Sequence, residues 1–242
     1  WSSAMRSFSG RLRWHCHFIQ KLEDEPRIEF QNMHSAYNSL RQSSFNSSFF
    51  DAWKSGMTGF PMVDACMRSL KETGWLNFRM RAMIMSFASY HLWLHWREPA
   101  LYLANLFVDY EPGIHYCQAQ MQSGTTGINA IRIYNPIKQG IDHDPKGIFI
   151  RRWIPELRDM DETYIHMPWQ AQSQMNNYPI PIIDEKEARK FAADQLYSLR
   201  KKNNFHKIEA RKIFDKHGSR KSRFKKIKHK KPIIKDLQKE LP

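Results

Sequence analysis

The chain has 242 residues, of which 41% are hydrophobic and 13% aromatic, enough for one sizeable core or two small ones. No apolar run approaches the roughly 20 residues of a membrane-spanning helix, and no signal-peptide pattern opens the sequence. The formal charge of +14 is uneven: ten Lys or Arg and no Asp or Glu lie between Lys216 and Lys235, so the charge describes the tail more than the folded body.

In chain order, residues 3–23 predict an amphipathic helix whose stripe is Phe8, Leu12, Cys16, Ile19 and Leu22, ended by Pro26. Residues 24–44 read as polar loop and 45–55 as a short helix. Pro61 and Gly74 mark the start and stop of the next helix. Residues 76–97 predict one long apolar helix, punctuated by Pro99 before a short helix at 99–108. Mixed turns and short helices follow over 109–146, and Pro155–Leu157 opens another short helical piece. Residues 162–182, with Pro168, Pro179 and Pro181, should drape over the surface. Residues 184–216 predict one or two solvent-facing helices, and 217–235 a solvated basic arm. With no alternating strand pattern of useful length, the expected fold class is all-α. The chain starts at Trp1, without Met, and reads as a domain cut from something longer. The expected partition is 1–168, a helical extension over 169–216 and a basic tail over 217–242.

Chemistry concentrates between Asp109 and Leu157, where Gln, Thr, Asn, Arg, Asp, Gly and Pro follow a defined order in irregular backbone, the mark of a shaped site. Asp109 and Glu111 could be paired catalytic carboxylates or acceptors for a ligand's hydroxyl or ring N–H groups. Gln118, Gln120 and Gln122 could form a polar helix face. Arg79 and Arg81 enter the most apolar helix and must meet an anion or stay near water; for Arg81 a structural ion pair with Asp109 weighs equally with a ligand contact. Arg11, Trp14 and His15 share a helix face continued by Phe18, which suits base stacking beside cations, although Trp14 alone reads more readily as core. His15 and His17 point to different faces. His91 and His95 are correctly spaced to chelate but lack further ligands, so zinc is not expected. Cys16, Cys66 and Cys117 form neither CxxC pairs nor a disulfide framework, and read as reduced thiols of an intracellular protein. There is no GxGxxG, P-loop or Ser–His–Asp cue.

The order TGFPMVDACMRSL, GW-x3-R-x-R, DYE and RIYNP-x-KQG-x3-DP-x-G-x-FIRRWIPEL resembles the photolyase/cryptochrome flavoproteins, over roughly residues 1–168. The resemblance implies their helical FAD-binding domain, FAD as cofactor, blue light as energy source and DNA carrying damaged pyrimidines as partner, with the protein a monomer off the membrane and cytoplasmic or nuclear. It implies that Trp14 stacks on the lesion, that Arg79 and His15 lie toward DNA, and that Arg81 pairs with Asp109 beside the flavin. Arg11, Phe78, Arg79, Arg81, Asp109, Glu111 and His115 are implied around the cofactor, and His115 at flavin N5 joins Trp14 as a catalytic position. The departures are Arg11 in place of a lesion-binding Glu, Phe78 in place of a cleft Asn, and a tryptophan relay in which Trp96 keeps the middle position while Ala119 and Ser43 fill the others. Trp93, Tyr116 or Tyr90 could substitute. The absence of His at Phe78 and Ala82 argues against (6-4) photoproduct chemistry. The phosphate-holding Thr-Ser-Arg-Leu-Ser loop and the antenna domain of the family are not in the sequence. Three readings follow: a dimer-splitting lyase, a photoreceptor without repair, and a non-enzymatic nucleic-acid binder using the basic arm, for which a solubilising tail is the plain alternative.

Overall fold

A computed structural model describes residues 1–41, 45–201 and 204–218. The described residues form ten α-helices joined by short 3-10 turns, with no strand among them, as expected of an all-α domain. Local chemistry sets many of the ends. The α2 helix (Ser47–Ser55) begins where the Asn46 side chain accepts from the Phe49 N–H, and it stops at Gly56 in the left-handed region. Pro61 starts α3 (Pro61–Thr73) and Gly74, at φ +70°, ends it.

The core centres on α3 and α4 (Phe78–Ser86), where Trp53, Phe60, Met67, Leu70, Met83, Ile84 and Phe87 are inaccessible or nearly so. The α3 helix is flanked by α2, α4, α7 (Pro136–His143) and α8 (Ile148–Trp153). A second, smaller cluster joins Tyr37 and Tyr90 to Ala192 and Leu196 of α9 (Glu185–Lys201).

Several expectations from sequence are corrected. The 76–97 helix is not continuous: α4 passes into a π-helical turn over Phe87–His91, and Trp93 adopts φ +53°, which breaks the run before α5 (Arg97–Ala104). A hydrophobic run records burial, and burial does not require helix. In α1 (Ser2–Asp24) the expected stripe is only half used. Phe18 is buried, but Phe8 and Leu12 are 59% and 51% exposed. The contact with α6 (Pro112–Ser123) is centred on Phe18 and Ile19, where a Cβ on Gly113 would come within 2.7 Å of the Ile19 Cα. Phe8 and Leu12 lie N-terminal to that close approach. Loop 24–44 contains 3-10 turns at Pro26–Glu29 and Ser35–Tyr37. Segment 162–182 does more than drape, since Ile165, Met175 and Tyr178 are buried. The 184–216 stretch gives α9 and α10 (Asn204–His217), each docked by one face: Ala192 and Leu196 from α9, His206 and Ile213 from α10. Most of the basic arm, from residue 219 onward, lies outside the described residues.

Candidate functional site

A cavity of about 330 Å³ opens between α4, α5 and α6. Its walls are mostly apolar (Leu76, Ala82, Met85, Leu103, Phe107, Ile114, Ala119), with Trp75, Phe78 and Tyr110 adding rings. A few polar groups converge on it: Arg81, Asp109, Glu111, His115, Gln118 and Gln122. Apolar walls with sparse directed polar groups suit a flat heteroaromatic ligand.

Arg81 is fixed before any ligand arrives. Its Nε donates to the Leu76 carbonyl at 2.7 Å, its Nη2 meets Asp109 Oδ2 at 2.9 Å, and its guanidinium lies 4.1 Å from the centre of the Phe107 ring. The fork therefore keeps a set direction, and Asp109, with half of its side chain exposed, retains acceptor capacity. Glu111 caps α6, accepting from the Gly113 and Ile114 N–H groups at 3.1 and 2.8 Å. A carboxylate at a helix N-terminus is stabilised by the orphan N–H groups and the helix dipole. One turn on, His115 Nε2 lies 2.8 Å from the Ala100 carbonyl and must donate to it. In the neutral ring this leaves Nδ1 as the acceptor. Burial holds the His115 pKa below its ordinary value, against the pull of the Ala100 bond and with the help of Arg81, so the ring is neutral at pH 7.

The cavity gathers Phe78, Arg81, Asp109, Glu111 and His115 from the candidates of the sequence. Arg11, Trp14, His15 and Arg79 lie outside its walls and are exposed. Trp14, 48% exposed, stacks on Phe18 at 5.7 Å, which presents its outer face to solvent. Trp96 is fully buried and donates its indole N–H to Asn32 Oδ1 at 2.7 Å; Ser43 lies outside the described residues. His91 is buried and stacked on Phe87 at 5.0 Å. Among the described residues no group of His, Cys, Asp and Glu is arranged to hold a metal, and no helix is long and apolar enough to cross a membrane.

The three glutamines do not form one face. Gln118 and Gln122 line the cavity, whereas Gln120 is fully buried and staples α6 to the 24–44 segment. Its Nε2 donates to the Ile28 and Gln31 carbonyls, both at 2.8 Å, and its Oε1 accepts from the Met33 N–H at 2.7 Å. Successive odd or even positions on a helix turn by about 200°, so an i, i+2, i+4 series must straddle it. Asp64 also went unsingled in the sequence. It is fully buried and accepts from the Thr58 N–H and Oγ1, the Gly59 N–H and the Tyr178 hydroxyl. The available signal was Thr-Gly before Pro61 with an acid in the first turn, a variant of helix-start capping.

The family described as the FAD binding domain of DNA photolyase matches residues 8–198, and the chain belongs to it. A deoxyribodipyrimidine photo-lyase of Streptomyces griseus is 34% identical over 187 residues, covering 76% of this chain and 40% of the relative. Cryptochrome-2 of Arabidopsis thaliana is 36% identical over 162 residues, covering 62% and 26% respectively. The crystal structure of a bacterial class III photolyase from Agrobacterium tumefaciens superposes with a TM-score of 0.75 at 29% identity, covering 83% of this chain and 44% of that one. The chain thus spans less than half the length of these relatives. The chemistry of the lining is compatible with an isoalloxazine: Ala82 and Ala119 are small, Arg81 and His115 carry polar atoms at the wall, and Asp109, half exposed, keeps acceptor capacity.

Proposed function

We propose that this domain holds FAD in the cavity beside Arg81, Asp109 and His115 and serves blue-light-driven repair of cyclobutane pyrimidine dimers in DNA. The bound cofactor would supply light absorption and one-electron transfer to the dimer; the protein supplies position and electrostatics. Arg81 and Asp109 orient the ring, and neutral His115 offers an acceptor without adding charge. The exposed indole of Trp14 on α1 gives an extruded base a stacking surface, and the exposed cations Arg11 of α1 and Arg79 of α4 suit phosphate. No protein group need act as a general base.

The observation that carries this reading is the apolar cavity with a pre-formed Arg81–Asp109 pair at its wall, in a domain whose relatives are named as photo-lyases. The test is illumination of the flavin-loaded protein with an oligonucleotide containing one dimer. Dimer loss that needs light and falls in Trp14→Ala supports repair. A second reading, a photoreceptor without repair, is favoured by the similarity to a cryptochrome and by a cation, Arg11, one turn before Trp14. A lasting light-induced flavin redox change with the dimer intact would select it.

A further inference from the structure

Arg41, at 5% exposure, is the only arginine so deeply buried among the described residues. Its Nη1 donates to the Ser123 carbonyl at 3.0 Å, at the end of α6. Its guanidinium lies 4.4 Å from the centre of the Trp93 ring and 5.5 Å from that of Tyr90. Nε and Nη2 are buried, and neither has an acceptor among the described residues. Those two nitrogens form one edge of the guanidinium, a fork that can meet two oxygens of one oxyanion at once. Elsewhere in the fold such forks are filled. Arg68 sets Nη1 and Nη2 on the two oxygens of Glu156 at 2.8 and 3.0 Å, and Arg81 gives its Nε to the Leu76 carbonyl and its Nη2 to Asp109.

The surroundings of Arg41 add positive charge and no carboxylate. Burial lowers its pKa to about 10, opposed only by Tyr90, so the guanidinium is still charged at pH 7. His95, two residues after Trp93, is held below its ordinary pKa by burial and by the charges of Arg41 and Arg97. Arg41 and Arg200 both act on Tyr90, whose hydroxyl is buried without a partner among the described residues, as is the Nε of Arg97. The buried ionic groups under α10 are arranged otherwise: Glu25 accepts from Lys216 and His217, and Glu209 from the Ser35 N–H and hydroxyl. A buried cation without a counter-ion is costly, and donors without an acceptor add to the cost. One anion on the free edge of Arg41 removes both penalties.

We propose that the Nε–Nη2 edge of Arg41 binds a small inorganic oxyanion, phosphate or sulfate, in the positive field of Arg97 and Arg200. The depth of the edge excludes a nucleic-acid backbone and selects a free ion, which enters beside the partly exposed Trp93 and His95. None of Arg41, Tyr90, Trp93, His95 and Arg97 belongs to the walls of the cavity, so the site is separate from it and does not depend on the flavin reading. The bound ion cancels the charge held between Trp93 and the last residue of α6, and so stabilises the folded chain by mass action.

The experiment unfolds the full chain with urea in sodium sulfate or sodium phosphate, against sodium chloride at equal ionic strength. Stabilisation that saturates with the oxyanion is expected, the unfolding constant falling about 100-fold at a hundred times the dissociation constant. Arg41→Lys keeps the charge but lacks the planar fork, and should lose the saturating part. Both oxyanions also stabilise proteins through exclusion from the surface, an effect that needs no site. A gain that does not saturate and is equal in wild type and Arg41→Lys therefore means an adventitious ion only, and overturns the proposal. The second readout needs only the wild type to fold. Sulfate keeps its charge between pH 5 and 8, and bound near His95 it should raise the titration midpoint of that ring, followed by nuclear magnetic resonance and assigned with His95→Gln. A His95 midpoint that is the same in sulfate and in chloride overturns the proposal whether or not Arg41→Lys folds.

Discussion

The carboxylate of Asp64 organises the turn that leads into α3, and removing it is the sharpest stability test the structure offers. The residue is inaccessible and takes four donated hydrogen bonds, from the Thr58 N–H and hydroxyl, the Gly59 N–H and the Tyr178 hydroxyl. The Tyr178 bond ties segment 162–182 to the start of the central helix. Asp64→Ala leaves four buried donors without an acceptor; at about 1–3 kcal/mol for each unsatisfied group, less relaxation, a loss of about 4 kcal/mol is expected. Asp64→Asn keeps the shape but turns one acceptor into a donor facing donors, and should cost about 2 kcal/mol. Burial raises the Asp64 pKa to about 6, against the pull of the Tyr178 and Thr58 side chains and the Thr58 and Gly59 N–H groups. The folded protein therefore holds this proton between the unfolded value of 3.8 and about 6, where the unfolded chain has lost it. Stability from this group is full below pH 3.8 and falls as pH rises through about 6, by roughly 3 kcal/mol in all. Urea unfolding of wild type and Asp64→Asn between pH 4 and 8 isolates the effect, because the other carboxylates titrate alike in both. A loss below about 1 kcal/mol for Asp64→Ala at pH 7, or parallel pH profiles for wild type and Asp64→Asn, would refute the reasoning.

Gln120→Ala removes four hydrogen bonds, three of them buried, and should cost about 2–3 kcal/mol, with hydrogen exchange rising at the Met33 N–H, which Gln120 Oε1 now accepts. Asp109→Asn should behave oppositely: the Arg81 pair is partly exposed, so stability should change by less than about 1 kcal/mol, while flavin affinity, read by titration of fluorescence quenching, falls clearly. Gly113→Ala introduces a better helix former but drives a methyl into the Ile19 backbone of α1. A net loss of about 1–3 kcal/mol, seen as a lower Tm, is expected, with weaker flavin binding as the α6 wall shifts.

How much of this was legible follows from where the cause of each feature lies. The ends of α2 and α3 and the start of α6 are written in neighbouring residues: Asn46 with Gly56, Pro61 with Gly74, and the Glu111–Pro112 cap. The Arg81–Asp109 pair was also readable, because a cation entering an apolar helix needs a partner and the next acidic residues in sequence are few. By contrast, the break at Trp93 comes from tertiary packing. Its φ of +53° lies where Arg41 covers its indole, and Arg41 itself has φ +68° in a segment distant in sequence. The same holds for Gln120, whose partners in the 24–44 segment are 87 to 92 residues away, and for Tyr178, which finds Asp64 across 114 residues. Periodicity reports which side chains are buried, and caps report where a helix can begin; neither records which distant polar atom a buried side chain will meet. That asymmetry also separates the site's two halves. The polar groups held by their own helix starts, Arg81 and Glu111, were visible as chemistry, whereas the Pro26–Glu29 turn lies against α6 only because Gln120 reaches its Ile28 carbonyl. If Gln120→Ala frees that turn, Glu29 should lose its place beside Tyr116. Hydrogen exchange should then rise across residues 28–33, while Arg81, Asp109 and flavin affinity stay in place.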